Sequence, residues 1–212
     1  MRKTILTTNE IYHIFNRGAD KRIIFEDDGD LNRFLESLEK FNSVEPIGSL
    51  YEQSFSKIDS GQKKLVKIIA YCLNPNHFHL ILQQKSANGI SEFMKRLGGG
   101  YTWYFNNRHK RTGVLFQGKF KSVHIKSNEQ LLHLSAYVNL NNKVHQLGGR
   151  TAKLVRSSYK EYRDNIGSLC EKEVILGQFK NTTEYDYFIK NSLKNILEKR
   201  IEREELEDLM IE

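Results

Sequence analysis

The sequence predicts an α+β domain in which helices lie against one antiparallel sheet, followed by a helical tail. Two observations carry this. Short β-rich runs recur at "EIYHIFNRG", "KLVKIIAYCL", "HFHLILQQ" and "GKFKSVHIKS", and the longer stretches among them space apolar residues at helical intervals. Their order is close to the split βαβ pattern, in which each helix buries one face on the sheet. A chain of 212 residues can bury such a core without a disulfide or metal staple. The domain is expected over 1–149 and the tail over 150–212.

The elements follow in chain order. "EIYHIFNRG" is closed by Gly18 and suits a strand and turn. In "EDDGDLNRFLESLEKFNSV", acidic residues precede Leu31, Phe34, Leu35, Leu38 and Phe41, giving an amphipathic helix with favourable charge at its N-terminus. "GSLYEQSFSKI" and "KLVKIIAYCL" are expected as strands, and "HFHLILQQ" resumes after the turn signal "NPN". "GISEFMKRLGGGYTWYFNNRH" places Ile90, Phe93, Met94, Leu97, Tyr101, Tyr104 and Phe105 on one helical face. Gly98, Gly99 and Gly100 inside it imply a kink or a close neighbour. "GKFKSVHIKS" is a further strand, and "SNEQLLHLSAYVNLNN" a third helix capped by Ser127. The tail carries Phe188, Ile189, Leu193, Ile196, Leu197 and Ile201 at helical spacing, to pack on the domain or on a partner.

Composition narrows the function. Cys72 and Cys170 are the only cysteines, so neither a disulfide framework nor a cysteine-rich zinc site can be built. With no apolar leader and no membrane-length apolar window, a soluble protein of the reducing cytoplasm is expected. Lysine and arginine number 33 against 26 acidic residues, a net charge of +7. The excess concentrates between Lys95 and Lys126, where Arg96, Arg108, Lys110, Arg111, Lys119 and Lys121 meet no acidic residue. Tyr101, Trp103 and Tyr104 are interleaved with these bases, which points to a polyanion face on which nucleic-acid bases stack.

The stretch "NPNHFHLIL" raises the question of chemistry. In a strand, His77 and His79 share one side while Phe78 faces the other. The spacing leaves two readings open, a pair of metal ligands or two partly exposed strand histidines. Tyr137 and Asn141 lie four residues apart, on one helical face, with His133 a turn earlier. Alone, that pair reads as an interfacial core aromatic and a C-terminal helix cap. His13, His109, His124, His133, His145 and Arg17 are expected to be packing or surface residues.

"AYCLNPNHFHLIL", "MKRLGGGYTWYFNNRHKRTGVLFQGKFKSVHI" and "LSAYVNLNN", in that order, resemble the single-tyrosine HUH transposases of bacterial insertion sequences, most of all the REP-associated tyrosine transposases. The likeness extends to "IYHIFNRGADKRIIF", "SSYKEYRD" and "VILGQFKNTTEYDYFI" and so spans nearly the whole chain. It implies a ferredoxin-like sheet carrying the histidines, with a helix bearing the nucleophile alongside. By the same resemblance His77, His79 and Asn141 are the metal ligands and Tyr137 the nucleophile. Mg²⁺ or Mn²⁺ suits that N and O donor set, although imidazole also admits Zn²⁺ or Ni²⁺. The implied reaction cleaves and rejoins single-stranded DNA beside a hairpin through a 5′-phosphotyrosine, in a monomer or homodimer. Arg96, Tyr101, Trp103, Tyr104, Arg108, Lys110, Arg111, Lys119 and Lys121 are the expected DNA contacts. The chain departs from the family at Asn142, where proline is common, and in the length of "YEQSFSKIDSGQKK". A domesticated hairpin-binding protein that cuts little is the competing expectation; a replication-type nickase would need further domains that this length does not hold.

Overall fold

Alternation builds the first strand: β1, Ile11–Arg17, buries Tyr12 and Ile14 on one side. The computed structural model describes residues 4–45, 63–144, 153–167 and 169–209, with side chains described through residue 198. The expected strand in "GSLYEQSFSKI" and the expected boundary between 149 and 150 lie outside the described residues. Gly18 ends β1 where a Cβ would stand 2.2 Å from the Arg22 carbonyl oxygen, so only glycine fits. Helix α1, Asp28–Lys40, is capped by Asp27, whose side chain accepts from the Asp30 amide, and it buries Leu31, Phe34 and Leu38 as the stripe requires.

Strand β2, Val66–Asn74, and strand β3, His77–Gln84, are joined by a two-residue turn, Pro75 and Asn76. Helix α2, Gly89–Arg108, runs unbroken through its three glycines, so no kink forms. The close neighbour is real at Gly100, where the Phe41 ring lies 2.7 Å from the position of a Cβ. Strand β4, Lys121–His124, leads to helix α3, Asn128–Asn139, capped by the Ser127 side chain accepting from the Gln130 amide. The chain then breaks at Leu140 and starts a separate turn of helix, α4, Asn141–Val144. Strand β5, Arg156–Ser157, and helices α5, Tyr159–Arg163, α6, Glu173–Leu176, and α7, Thr182–Leu209, complete the described chain.

The strands form one sheet in the order β4-β1-β3-β2-β5, every pairing antiparallel. Because β1 and β2 both oppose β3, they run parallel to each other with β3 between them, as in a split βαβ unit. This is the predicted ferredoxin-like arrangement, widened by β5. The sheet separates two layers. Phe78 meets Phe34 of α1 at 5.3 Å between ring centroids, and Phe34 meets Tyr101 of α2 at 4.9 Å. On the opposite face His79 meets Tyr137 of α3 at 5.6 Å.

Helix α7 closes over α3. Tyr185 is fully buried and its hydroxyl oxygen accepts from Asn139 Nδ2 at 2.8 Å. The Ser158 hydroxyl donates to Asn139 Oδ1 at 2.6 Å, and Ser157 Oγ donates to the Asn139 carbonyl at 3.0 Å. Ser157, Ser158 and Tyr185 therefore grip the end of the helix that carries Tyr137.

Candidate active site

Register assembles the site. In β1 and β3, Phe15 stands opposite His79 and Arg17 opposite His77, and in β2 and β3, Cys72 opposes His79 and Asn74 opposes His77. Directly opposed residues share a face, so His13, Phe15, Arg17, His77, His79, Cys72 and Asn74 all look toward α3. Tyr137, half-buried, sits across from them. Its ring lies edge-on to His79 at 5.6 Å and to His13 at 6.5 Å, while the His77 and His79 rings lie at right angles with centroids 5.1 Å apart.

Each imidazole is oriented by a partner. His77 Nδ1 lies 2.6 Å from Asn76 Oδ1, which can only accept, so the proton is on Nδ1. His77 Nε2 then accepts from Asn74 Nδ2 at 3.0 Å. That same Asn74 nitrogen donates to Asn141 Oδ1 at 2.7 Å, and both asparagines are fully buried. Asn141 Nδ2 is buried with no hydrogen-bond partner. His79 Nδ1 and His13 Nε2 share a hydrogen bond of 2.9 Å. Burial lowers the His13 pKa to about 4, so that ring is neutral at physiological pH. Burial also pushes the Cys72 thiol up to about 12, which leaves it protonated and inert.

A cleft of about 880 Å³ opens over this floor, lined by His77, His79 and Tyr137 together with Arg17, Lys21, Gln117 and Lys121. Among the described residues that line it there are lysine and arginine and no carboxylate, so the field they set up favours an anion. A second cleft of about 630 Å³ shares Asn16 and Phe78 with the first and is lined by Lys95, Lys119, Gly98, Gly99, Thr102 and Phe116.

The donors fit a divalent ion in kind. Among the described residues, no three histidine, cysteine or carboxylate groups are placed to hold a metal, so a third protein ligand has to be of another type, as an amide oxygen is. His77 Nε2 and Asn141 Oδ1 converge on one point, marked by the Asn74 nitrogen. His79 is oriented beside them by the hydrogen bond between its Nδ1 and His13.

The predicted DNA contacts separate into groups. Lys121 and Lys119 line the two clefts, and Trp103, 68 % exposed, and Lys110 are at the surface. Arg96 donates to Glu92 and to the Ser43 and Glu45 carbonyls. Arg108 donates to Asp27, to the buried Asp30 and to the Tyr104 hydroxyl, and Arg111 donates to Asn106. Tyr104 has the Arg33 guanidinium over its ring at 5.0 Å. Tyr101 is a correction: it is fully buried between α1 and α2, and its hydroxyl donates to the Ile24 carbonyl at 2.6 Å, so it belongs to the core. Tyr101→Phe is expected to leave DNA affinity unchanged in a filter-binding titration and to lower stability by about 1–2 kcal/mol in a urea melt, because that carbonyl loses its donor.

His13 and Asn74 were not legible as site residues, and His13 was expected to be ordinary packing. The only sequence signal for His13 was its period-two relation to Phe15 and Arg17, which becomes informative once β1 is known to pair with β3. Asn141 falls one turn after Tyr137 as predicted, yet on a new helical segment rather than the same helix.

A protein-family model described as Transposase IS200 like matches residues 7–141. No curated protein matches the chain. Among solved structures, that of a REP-associated tyrosine transposase bound to a REP hairpin is similar, with a TM-score of 0.56 and 10% sequence identity over 82% of this chain and 95% of that one. At that identity the structural likeness speaks for the fold. The family match takes in β1, both site histidines, Tyr137 and Asn141, and by it the chain belongs to the IS200-like transposase family.

Proposed function

We propose that this chain cleaves and rejoins single-stranded DNA beside a hairpin, with Tyr137 as nucleophile. The observation that carries the reading is the placement of Tyr137 against His79 on the floor of a cleft lined by Arg17, Lys21 and Lys121. The Tyr137 hydroxyl oxygen attacks the phosphorus in line, the bond from phosphorus to the 3′ oxygen breaks, and the leaving strand takes a proton as its 3′-hydroxyl. The 5′-phosphotyrosine keeps the free energy of the broken bond, so a 3′-hydroxyl can attack it, re-form a phosphodiester and release the tyrosine. The phenolic proton passes to water, which the open cleft admits.

His77, His79 and Asn141 would hold Mg²⁺ or Mn²⁺, which when bound withdraws charge from a nonbridging phosphate oxygen. Lys121 and Arg17 line the same cleft and would neutralise phosphates of a strand bound there. Arg96, Trp103, Tyr104 and Arg108 on α2, with Lys110, Arg111 and Lys119 beyond its end, would make the surface on which the strand and its hairpin lie. The hairpin bound by the similar structure supports a folded single strand as substrate. A bacterial cytoplasmic location beside the nucleoid accords with such a substrate, and among the described residues no helix is long and apolar enough to cross a membrane.

The test is incubation with end-labelled, hairpin-flanked single strands in Mg²⁺ or Mn²⁺ and, in parallel, in EDTA. A denaturant-resistant protein–DNA adduct that needs the metal is expected. Tight hairpin binding with no adduct on any flanking sequence would replace this reading with that of a binding protein.

A further inference from the structure

Asn74 ends β2 directly opposite His77, and it is fully buried. A carboxamide nitrogen carries two hydrogens and no lone pair. Both are directed at the two atoms assigned above as ligands, His77 Nε2 at 3.0 Å and Asn141 Oδ1 at 2.7 Å. Asn76 meanwhile holds the His77 proton on Nδ1 and so keeps the Nε2 lone pair turned toward Asn74. Asn141 presents its oxygen to the same nitrogen even though this leaves its own Nδ2 buried without a partner, an arrangement that costs free energy. Asn74 therefore occupies, with a neutral amide, the point where a cation would meet two of its ligands.

We propose that Asn74 is a clasp: it holds the ligand atoms of His77 and Asn141 in the metal-free protein and must release them before a divalent ion binds. The inference rests on the reading of His77 and Asn141 as metal ligands. The ion competes with two buried hydrogen bonds, so the protein binds metal more weakly than its donor set allows, by the fraction of molecules in which the clasp is open. Removing the amide acts twice in one direction. It deletes the competitor, and it removes one hydrogen bond each from Nε2 and Oδ1 in the metal-free state, which raises the free energy of that state alone. A side chain that helped to coordinate the ion would have the opposite effect when removed.

The experiment uses the full chain stripped with EDTA and titrated with Mn²⁺ alone, free Mn²⁺ being read by electron paramagnetic resonance. Asn74→Leu, of similar volume, and Asn74→Ser, which avoids burying a branched side chain among polar groups, are compared with wild type, and His77→Ala reports on the site. Both Asn74 variants are expected to bind Mn²⁺ more tightly, Asn74→Leu by about tenfold. Their metal-free proteins are expected to melt below wild type, and saturating Mn²⁺ to raise their melting temperature by more than it does for wild type. If His77→Ala loses Mn²⁺ binding while both Asn74 variants bind as wild type or more weakly, the clasp is overturned and the ligand assignment stands. If wild type and His77→Ala bind Mn²⁺ alike, the ligand assignment falls and the clasp with it.

Discussion

Tyr137→Phe is expected to bind hairpin-flanked single strands as wild type does and to form no covalent adduct, with strand cleavage down by at least about 10³-fold. The phenylalanine ring keeps the edge-on packing on His79 and His13, so the fold and the cleft are retained. Only the attacking oxygen is lost. Equal affinity in a binding titration, with the labelled adduct absent from a denaturing gel, isolates that oxygen as the cause. An adduct of undiminished yield would show that another side chain attacks the phosphate.

Tyr185→Ala is expected to destabilise the protein by about 3–5 kcal/mol, measured as a loss in the midpoint of a urea melt. Tyr185 is fully buried, its ring packs on Tyr162 at 5.1 Å and Phe179 at 5.3 Å, and its hydroxyl oxygen accepts from Asn139. Truncation opens a cavity and strands a buried amide. Tyr185→Phe keeps the ring and removes only the hydroxyl, so a loss of about 1–2 kcal/mol is expected. The hydroxyl stays protonated well above neutrality, since burial raises its pKa to about 12, and the difference between the variants should not change between pH 6 and 9. Asn139 lies two residues after Tyr137, so slackening this grip also loosens the nucleophile. Adduct yield should fall in Tyr185→Ala even at temperatures where it remains folded.

The path from residues to site shows where local reasoning was sufficient. Period-two alternation placed His77 and His79 on one strand face with Phe78 in the core, and the structure has them so. The Ser127 cap, the acidic start of α1 and its apolar stripe were equally plain, because a cap or a helical face is decided within a few residues. Tyr101 and Tyr104 show the limit. Three residues apart on α2, they read alike in sequence, yet one is sealed against Phe34 and the other stacks under Arg33. The phase of α2 on the sheet, which no local period records, separates them. The glycine run likewise implied a close neighbour without revealing that it would be the Phe41 ring at Gly100 alone.

By itself, then, the sequence determined the chemistry on offer: two imidazoles on one face, a tyrosine and an amide one helical turn apart, and a basic, aromatic segment to meet a polyanion. These are consequences of short periods and of side-chain type. Only the tertiary structure decided which further groups join them. His13 reaches His79 across 66 residues of chain, and Asn74 spans from His77 to Asn141, which is 67 residues beyond it. Both depend on which strands pair and in what register, and register is set by the packing of a whole sheet face rather than by any neighbouring residue.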